Sequence, residues 1–405
     1  MQQYIGVVGI LLLLSIAYLM SNNKKAISFR TVLWGLGLQI IFSLVILKTK
    51  IGLPFFSFFD KTIKKLLEYA DKGGDFLFSS FVTGAVEAPI INFAVRVLPT
   101  IVFFSALMAF FYHLGVMQWI VKLIAKVFQK TMKTSGSETL SVVGSIFVGQ
   151  TEAPLLVKPY VKNMTKSELM TVMVGGFATV AGGVMAIYVK MLHNLPNIAG
   201  HLMAASIMSA PAAIIVAKII YPETEKSETA GSLKTKVKKT ANNSIEAIGD
   251  GAVDGLKLAA NIAAMIIAIV GMVAMIDGLL SFFDSSLAEL LGFVFQPLAY
   301  LMGIPWNEAH MFGTLLGEKI VLTELIAYKD LAILKNDNKI SERTAIIASY
   351  ALCGFANFAS IGIQMGGISA IAPNRKKDIS KLVLKAMAGG AIASWLTACL
   401  AGLIL

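Results

Sequence analysis

The chain has 405 residues, 56% of them hydrophobic and 15% charged, with a formal net charge of +11. A soluble domain carries nearer a quarter charged residues. Here the apolar excess sits in blocks of roughly 20 residues, the length that crosses a hydrocarbon core, which excludes a soluble bundle with a charged face on every helix. The basic excess is not interleaved with stacking aromatics, so nucleic-acid binding is set aside; in a membrane protein Lys and Arg mark cytoplasmic loops.

The first block, 4–20, lacks a basic start and a small-residue cleavage site, so it reads as a first span and not as a signal peptide. Span two is 31–47. Residues 55–81 mix aromatics with lysines at helical spacing, the pattern of a helix lying in the interface. Span three is 93–112, followed by a basic helix that ends near Lys133.

Block 141–161 is apolar, yet Gly149, Gln150, Thr151 and Glu152 lie in its middle and Pro154 just behind. Irregular backbone at that depth is tolerated only where it is buried in protein or lines a wet cavity. The block therefore reads as a re-entrant hairpin that turns near Gly149, its second arm starting with Thr151 and Glu152. Span four, 169–191, contains GGFATVAGG (175–183), which predicts an unwound stretch. Span five is 203–220, and the polar, Lys-rich segment 222–243 is a cytoplasmic loop. Span six is 253–280. A second interrupted block, 291–328, holds Pro305, Glu308, Glu318 and Glu324. Spans seven and eight are 344–371 and 382–405.

Four basic clusters orient these spans: Lys24, Lys25 and Arg30; Lys122, Lys126, Lys130 and Lys133; the lysines of 234–239; and Arg375, Lys376 and Lys377. They fall on one side if both interrupted blocks enter and leave on the same face. That side is cytoplasmic, so both termini are expected outside the cytoplasm, with Lys61, Lys64 and Lys65 external. Gly149 with Thr151-Glu152, then GFAT (176–179), echoes Gly317 with Thr323-Glu324, then GFAN (354–357). Three crossings separate the two hairpins, which turns the second copy upside down. Inverted repeats with broken helices are a transporter architecture.

A carboxylate at the centre of an apolar block costs about 2.5 kcal/mol or more unless it is paired or wet. Glu152 and Glu324 therefore read either as structural, paired or protonated acids, or as acceptors for a polar solute in a cavity. Gln150 and Thr151 stand beside Glu152. Asn357 and Ser360 are three apart, on one face if the backbone stays helical. Carbonyls of unwound segments suit Na+, and those near Val148 and Val180, with the Thr179 hydroxyl, are candidate ligands. Cys353 and Cys399 lie in apolar blocks with no metal spacing, and His113, His193, His201 and His310 are scattered. No phosphate-binding GxxxxGK[ST] occurs, and no Ser/His/Asp set stands out. An enzyme is not expected. An intramembrane hydrolase using Glu152 with Glu324, and a channel, are the competing readings; opposed broken hairpins favour alternating access.

GQTEAPLLVKPY (149–160), GGFATVAGGVMA (175–186), YPETEK (221–226) and ALCGFANFASIG (351–362) resemble the concentrative nucleoside transporter family, in the same order and over nearly the whole chain. The resemblance implies an all-α integral membrane fold with eight transmembrane helices, two opposed re-entrant hairpins and an interfacial helix. It implies a homotrimer in which an outer scaffold holds a transport domain that moves like an elevator. Residues 1–132 would be scaffold and interfacial helix, 133–240 the first transport repeat, 241–282 scaffold span six, and 283–405 the second transport repeat.

By the same resemblance, the chain is a multi-pass protein of the plasma membrane that imports nucleosides with a coupling cation. Gln150, Thr151 and Glu152 would contact the base, and Val184 would pack against it. Glu324, Asn357 and Ser360 would bond the ribose hydroxyls, with Phe355 close by. A sodium site would use Ser145, Val148, Thr179 and Val180. Ser145 stands where sodium-coupled members generally carry Asn, so the expected ion is Na+ or, as in some bacterial relatives, a proton. Thr323 precedes Glu324 where the family often has Asn, and the carboxylate survives. The lean in base preference is to pyrimidines such as uridine. The alternative expectation is the same fold carrying a free nucleobase or another polar solute.

Overall fold

The structure, a computed structural model, describes residues 2–48, 57–64, 98–230, 241–280, 282 and 285–405, and every regular element among them is helical. Helices α1 (Gln2–Leu19) and α2 (Phe29–Lys48) match the first two expected spans, and α3 (Leu98–Leu114) falls within a few residues of the third. The chain turns at Gly115, whose φ of +85° suits glycine, into α4 (Val116–Met132). Lys133 ends α4 in the left-handed region. Of the expected interfacial helix, only a helical stretch at 57–64 belongs to the described residues, with Lys64 paired to Asp60 at 3.0 Å. The lysines of 234–239 lie outside them.

The first hairpin opens with α5 (Gly136–Gly144), started by a capping box between Ser135 and Glu138, which satisfies two otherwise orphaned amides. It unwinds over 145–152 and returns as a short 3-10 helix, Ala153–Val157, with Pro154 in its first turn, where a missing N–H costs nothing. The turn near Gly149 is as expected, but the second arm begins one residue past Glu152.

Span four is broken into α6 (Lys166–Ala178) and α7 (Gly182–Met191). The break is shorter than the glycine-rich stretch suggested, because Gly175 and Gly176 stay helical. Their missing side chains serve close packing: a Cβ at Gly175 would meet Val142 at 2.8 Å, and one at Gly176 would meet Gln364 at 2.5 Å. Helix α8 (Ile198–Ile220) follows and is buried along almost its whole length, as befits a helix that is apolar on every face.

Helix α9 (Ser244–Leu280) begins nine residues before the expected span six and packs on α3. Gly251 and Gly255 permit the approach, since a Cβ at either would lie 2.6–2.8 Å from α3 atoms. The second interrupted block resolves into three helices instead of one hairpin: α10 (Leu287–Leu301), α11 (Trp306–Val321) and α12 (Glu324–Asn336). Helices α10 and α11 fold back at a 118° bend and pack through Gly292, Gly313 and Gly317, the small-residue contact common between membrane helices. The hairpin that carries Glu324 is α11 with α12. Span seven is broken into α13 (Glu342–Leu352) and α14 (Phe358–Ile371), and α15 (Lys376–Ile404) ends the chain.

Hairpin, broken helix and long helix thus recur in the same order, and the two long helices, α8 and α15, pack on each other. The GFAT and GFAN echoes do not occupy equivalent places. Gly176 to Ala178 form the last turn of α6, whereas Gly354 to Asn357 form the second break itself. The two breaks touch. Gly354 has a φ of +116°, and a Cβ on it would stand 2.6 Å from the carbonyl oxygen of Phe177 at the end of α6.

Each repeat ties its hairpin base to its broken helix through the third residue of a helix. Glu168 of α6 accepts from Ser135 Oγ at 2.5 Å and Ser137 Oγ at 3.0 Å. Glu308 of α11 accepts from the N–H and Oγ of Ser341, the cap of α13, at 3.2 and 3.0 Å. The YPETEK segment and Ser227 just after it continue this network, with Ser227 Oγ donating to Glu168 at 2.6 Å and Thr165 Oγ1 to Glu223 at 2.7 Å. Four described helical stretches are long and apolar enough to cross a membrane, or six if each bent pair counts as one. Two further described helices, within α1 and α14, are apolar but shorter.

Candidate solute site between the two hairpins

Glu324 is the first residue of α12, capped by Thr323, whose hydroxyl accepts from the Ile326 amide. A carboxylate there sits at the positive end of the helix. It is buried, yet fully bonded: Oε1 accepts from the Tyr188 hydroxyl at 2.8 Å and Oε2 from Asn357 Nδ2 at 2.6 Å. Two donors offset much of the cost of placing the charge away from water.

Asn357 is not on a helical face with Ser360, because the backbone at 357 is extended. It caps α14 instead, its Oδ1 accepting from the Ser360 amide at 2.7 Å. One side chain thus fixes the start of α14 and reaches Glu324. Ser360 is buried one turn in, and Phe355 is half-buried in the break. Val184 is buried in α7 one turn before Tyr188, so both lie on one face of that helix.

The first hairpin tip meets the same helix α14 farther along. A Cβ on Gly367 would touch Thr151 at 2.7 Å, and Gln150 and Gln364 both crowd Gly176. Gln364 is fully buried and donates Nε2 to the Met173 carbonyl at 3.0 Å, while its Oε1 and that of Gln150 carry no hydrogen bond from the protein. Ser360, Gln364 and Gly367 recur at helical spacing, so one face of α14 runs from the Glu324 end to the Gln150 end over roughly 10 Å. Glu152 is exposed at the tip, its carboxylate folded back over Gly149. Thr151 and Glu324 thus lie at opposite ends of this face, and the partners of the Glu324 carboxylate are Tyr188 and Asn357, not Glu152.

Ser145 and Thr179 converge on one carbonyl. Ser145 Oγ donates to Val142 O at 2.7 Å and approaches Gly175 O at 3.3 Å, and Thr179 Oγ1 donates to Gly175 O at 2.9 Å. The Gly182 amide, just past the break, donates to Phe147 O at 3.1 Å. Val148 and Val180 flank these contacts in sequence, Val180 buried and Val148 half-buried. Among the described residues no three His, Cys, Asp or Glu side chains cluster as metal ligands would.

Sequence reading missed three contributors. Tyr188 carries no local signal within an apolar helix. Gln364 was visible as a lone amide in apolar 358–371, and Lys319 as the one lysine inside the interrupted block 291–328; both needed a partner to be given meaning.

Unwound helices that expose polar groups inside an apolar helical body, with two hairpins meeting one helix face, define a membrane transport protein of the broken-helix type. Family models agree along the chain: Na+ dependent nucleoside transporter N-terminus over residues 8–81, a gate domain described as nucleoside recognition over 94–195, and Na+ dependent nucleoside transporter C-terminus over 201–402. All of the chain aligns at 40% identity with sodium/nucleoside cotransporter 1 of Mus musculus, of which it spans 64%, and 99% of it aligns at 41% identity with 97% of an uncharacterized transporter of Haemophilus influenzae. The fold superposes with a TM-score of 0.90 on CNTnw in an inward-facing substrate-bound state, at 39% identity, covering 100% of this chain and 98% of that one. The chain belongs to the Na+ dependent nucleoside transporter family.

Proposed function

We propose that this protein imports nucleosides across the cell membrane, driven by a coupling cation. The observation that carries the reading is the Glu324 carboxylate, buried and held by Tyr188 and Asn357 at a helix start. A ribose presents vicinal hydroxyl donors, for which a buried carboxylate is a strong acceptor. Glu324, Asn357 and Ser360 would bind them, with Phe355 beside the sugar. Gln150, Thr151 and Glu152 would meet the base at the far end of the α14 face, and Val184 would pack on it. The free Oε1 of Gln150 suits an N–H of the base edge.

Sodium is the ion the family favours. The Ser145 and Thr179 hydroxyls each donate to a carbonyl, which leaves their lone pairs for a hard cation that prefers oxygen ligands; backbone carbonyls at Val148 and Val180 would complete the set. Residues 133–240 and 283–405 would move together as a transport domain against a scaffold of 1–132 and 241–282, within a homotrimer and with both termini outside.

The test is uptake of radiolabelled uridine into proteoliposomes under an imposed Na+ gradient and, separately, a proton gradient. Accumulation driven by Na+ and blocked by excess uridine, but not by uracil, is expected. Accumulation under a proton gradient alone would overturn the sodium assignment. Block by uracil would point to a base carrier, and no accumulation of uridine or adenosine would overturn the reading.

A further inference from the structure

Lys319 stands five residues before Glu324, near the end of α11, and is fully buried. Its ammonium donates to the carbonyls of Ala351 and Cys353 at 2.9 and 3.3 Å and to Ser394 Oγ at 2.7 Å. An ammonium has three protons, and all three are used. Among the described residues it forms no ion pair. Ala351 and Cys353 are the end of α13, the half-helix that stops at the second break. The last carbonyls of a helix have no partner within it and carry its negative pole. A positive charge buried with no carboxylate in direct contact is costly, and here it is met by that pole.

The first break is built differently. The end of α6 is met by the hydroxyls of Ser145 and Thr179 on Gly175 O and by the amide of Gln364 on Met173 O. None of these groups is charged. The two repeats share their order of elements, yet among the described residues only the second brings its own cation to the end of its half-helix.

We propose that Lys319 is a positioning residue that acts as a tethered cation, doing for the second break what a free coupling ion does for the first. Its ammonium pins Cys353 at the entry to the unwound segment, and four residues on, Asn357 reaches Glu324 at 2.6 Å. Lys319 and Glu324 both belong to the second hairpin. Two cross-links, one to each end of 353–357, therefore hold the turn in the shape that presents Asn357 and Ser360. With the charge gone, the turn relaxes and the sugar end of the site loses its shape. The proposal rests on reading Glu324 as part of the nucleoside site and the first break as the cation site, so its tests include readouts that need neither.

Lys319→Met keeps most of the side-chain length and removes the charge; Lys319→Ala leaves a larger hole as well. In full-length protein without nucleoside, both are expected to speed amide hydrogen exchange at least tenfold over 353–358. In proteoliposomes both should raise the KM for uridine at least tenfold, and propylammonium should lower it again for Lys319→Ala but not for Lys319→Met. Wild-type exchange and KM in folded Lys319→Met would overturn the proposal, since a packing role alone tolerates Met. Should neither variant fold, the wild-type protein decides. Added Na+ should slow exchange over 178–183 and leave 353–358 unchanged, because the second break already holds its cation. Slowing over 353–358 would overturn the role of Lys319. No change in either segment would overturn the cation reading of the first break and, with it, the comparison of Lys319 to a free coupling ion.

Discussion

Tyr188 of α7 donates its hydroxyl to Oε1 of Glu324 at 2.8 Å, joining residues 136 apart in the chain. The Tyr188 ring stacks on Tyr328 with centroids 4.1 Å apart, and the Tyr328 hydroxyl is itself held by Ser349 O at 2.7 Å. One carboxylate oxygen is thus oriented from the first repeat and the other, through Asn357, from the second. Neither half alone aims the group.

Removing the carboxylate charge should stop transport. Glu324→Gln replaces one acceptor oxygen by a donor, which then faces one of the two groups that donate to it, Asn357 Nδ2 or the Tyr188 hydroxyl. An unsatisfied buried donor costs about 1–3 kcal/mol, and the ribose loses its charged acceptor. Uridine uptake is expected to fall below a hundredth of wild type while the protein still reaches the membrane, as checked by vesicle uptake and surface labelling. Wild-type uptake would remove Glu324 from the site.

Tyr188→Phe tests the orienting bond while keeping the stack on Tyr328. A hydrogen bond to a charged group is worth about 1.5–3 kcal/mol, and about 1.4 kcal/mol is tenfold in affinity. The uridine KM should rise roughly tenfold or more, with the maximal rate changing less. An unchanged KM in the kinetic assay would show that Asn357 alone suffices.

Gly354→Ala should destabilise the protein for two separate reasons. Its φ of +116° disfavours any side chain, and its Cβ would stand 2.6 Å from the Phe177 carbonyl. Strained backbone of this kind costs about 1–3 kcal/mol, before the clash is added. A lowered melting temperature in detergent is expected; an unchanged one would mean that the two breaks separate easily.

Lys218 and Glu138 form a buried pair at 2.7 Å at the base of the first hairpin. Removing one partner of such a pair costs about 3–5 kcal/mol, whereas replacing both by apolar groups is often tolerated. Lys218→Met should therefore melt well below wild type, and adding Glu138→Leu should recover part of the loss. A double variant no more stable than the single one would show that Glu138 is held chiefly by its bond from the Ser135 amide at 2.8 Å.

Much of the helical layout was readable because membrane spans announce themselves by length and charge, and because Glu152, Pro154 and Glu324 are out of place in apolar blocks. The breaks were readable only in outline. Glycines at 175 and 176 look like helix breakers, yet they accept the packing of Val142, Gln150 and Gln364. Asn357 and Ser360 looked like neighbours on a helical face, yet Asn357 caps the helix. Whether a glycine unwinds a helix or lets another approach depends on what lies beside it, and local sequence does not contain that.

The sequence by itself determined that the chain is helical, belongs in a membrane and carries polar groups at two hairpins, since apolar length and misplaced charge are local properties with direct free-energy costs. The tertiary structure alone decided which of those groups meet. Tyr188 reaches Glu324 across the repeats, Lys319 settles on the carbonyls of Ala351 and Cys353, and Gly354 lies against Phe177. A buried polar group must find its partner wherever the packing of distant helices leaves one, so its meaning is set by the fold and not by its neighbours in the chain.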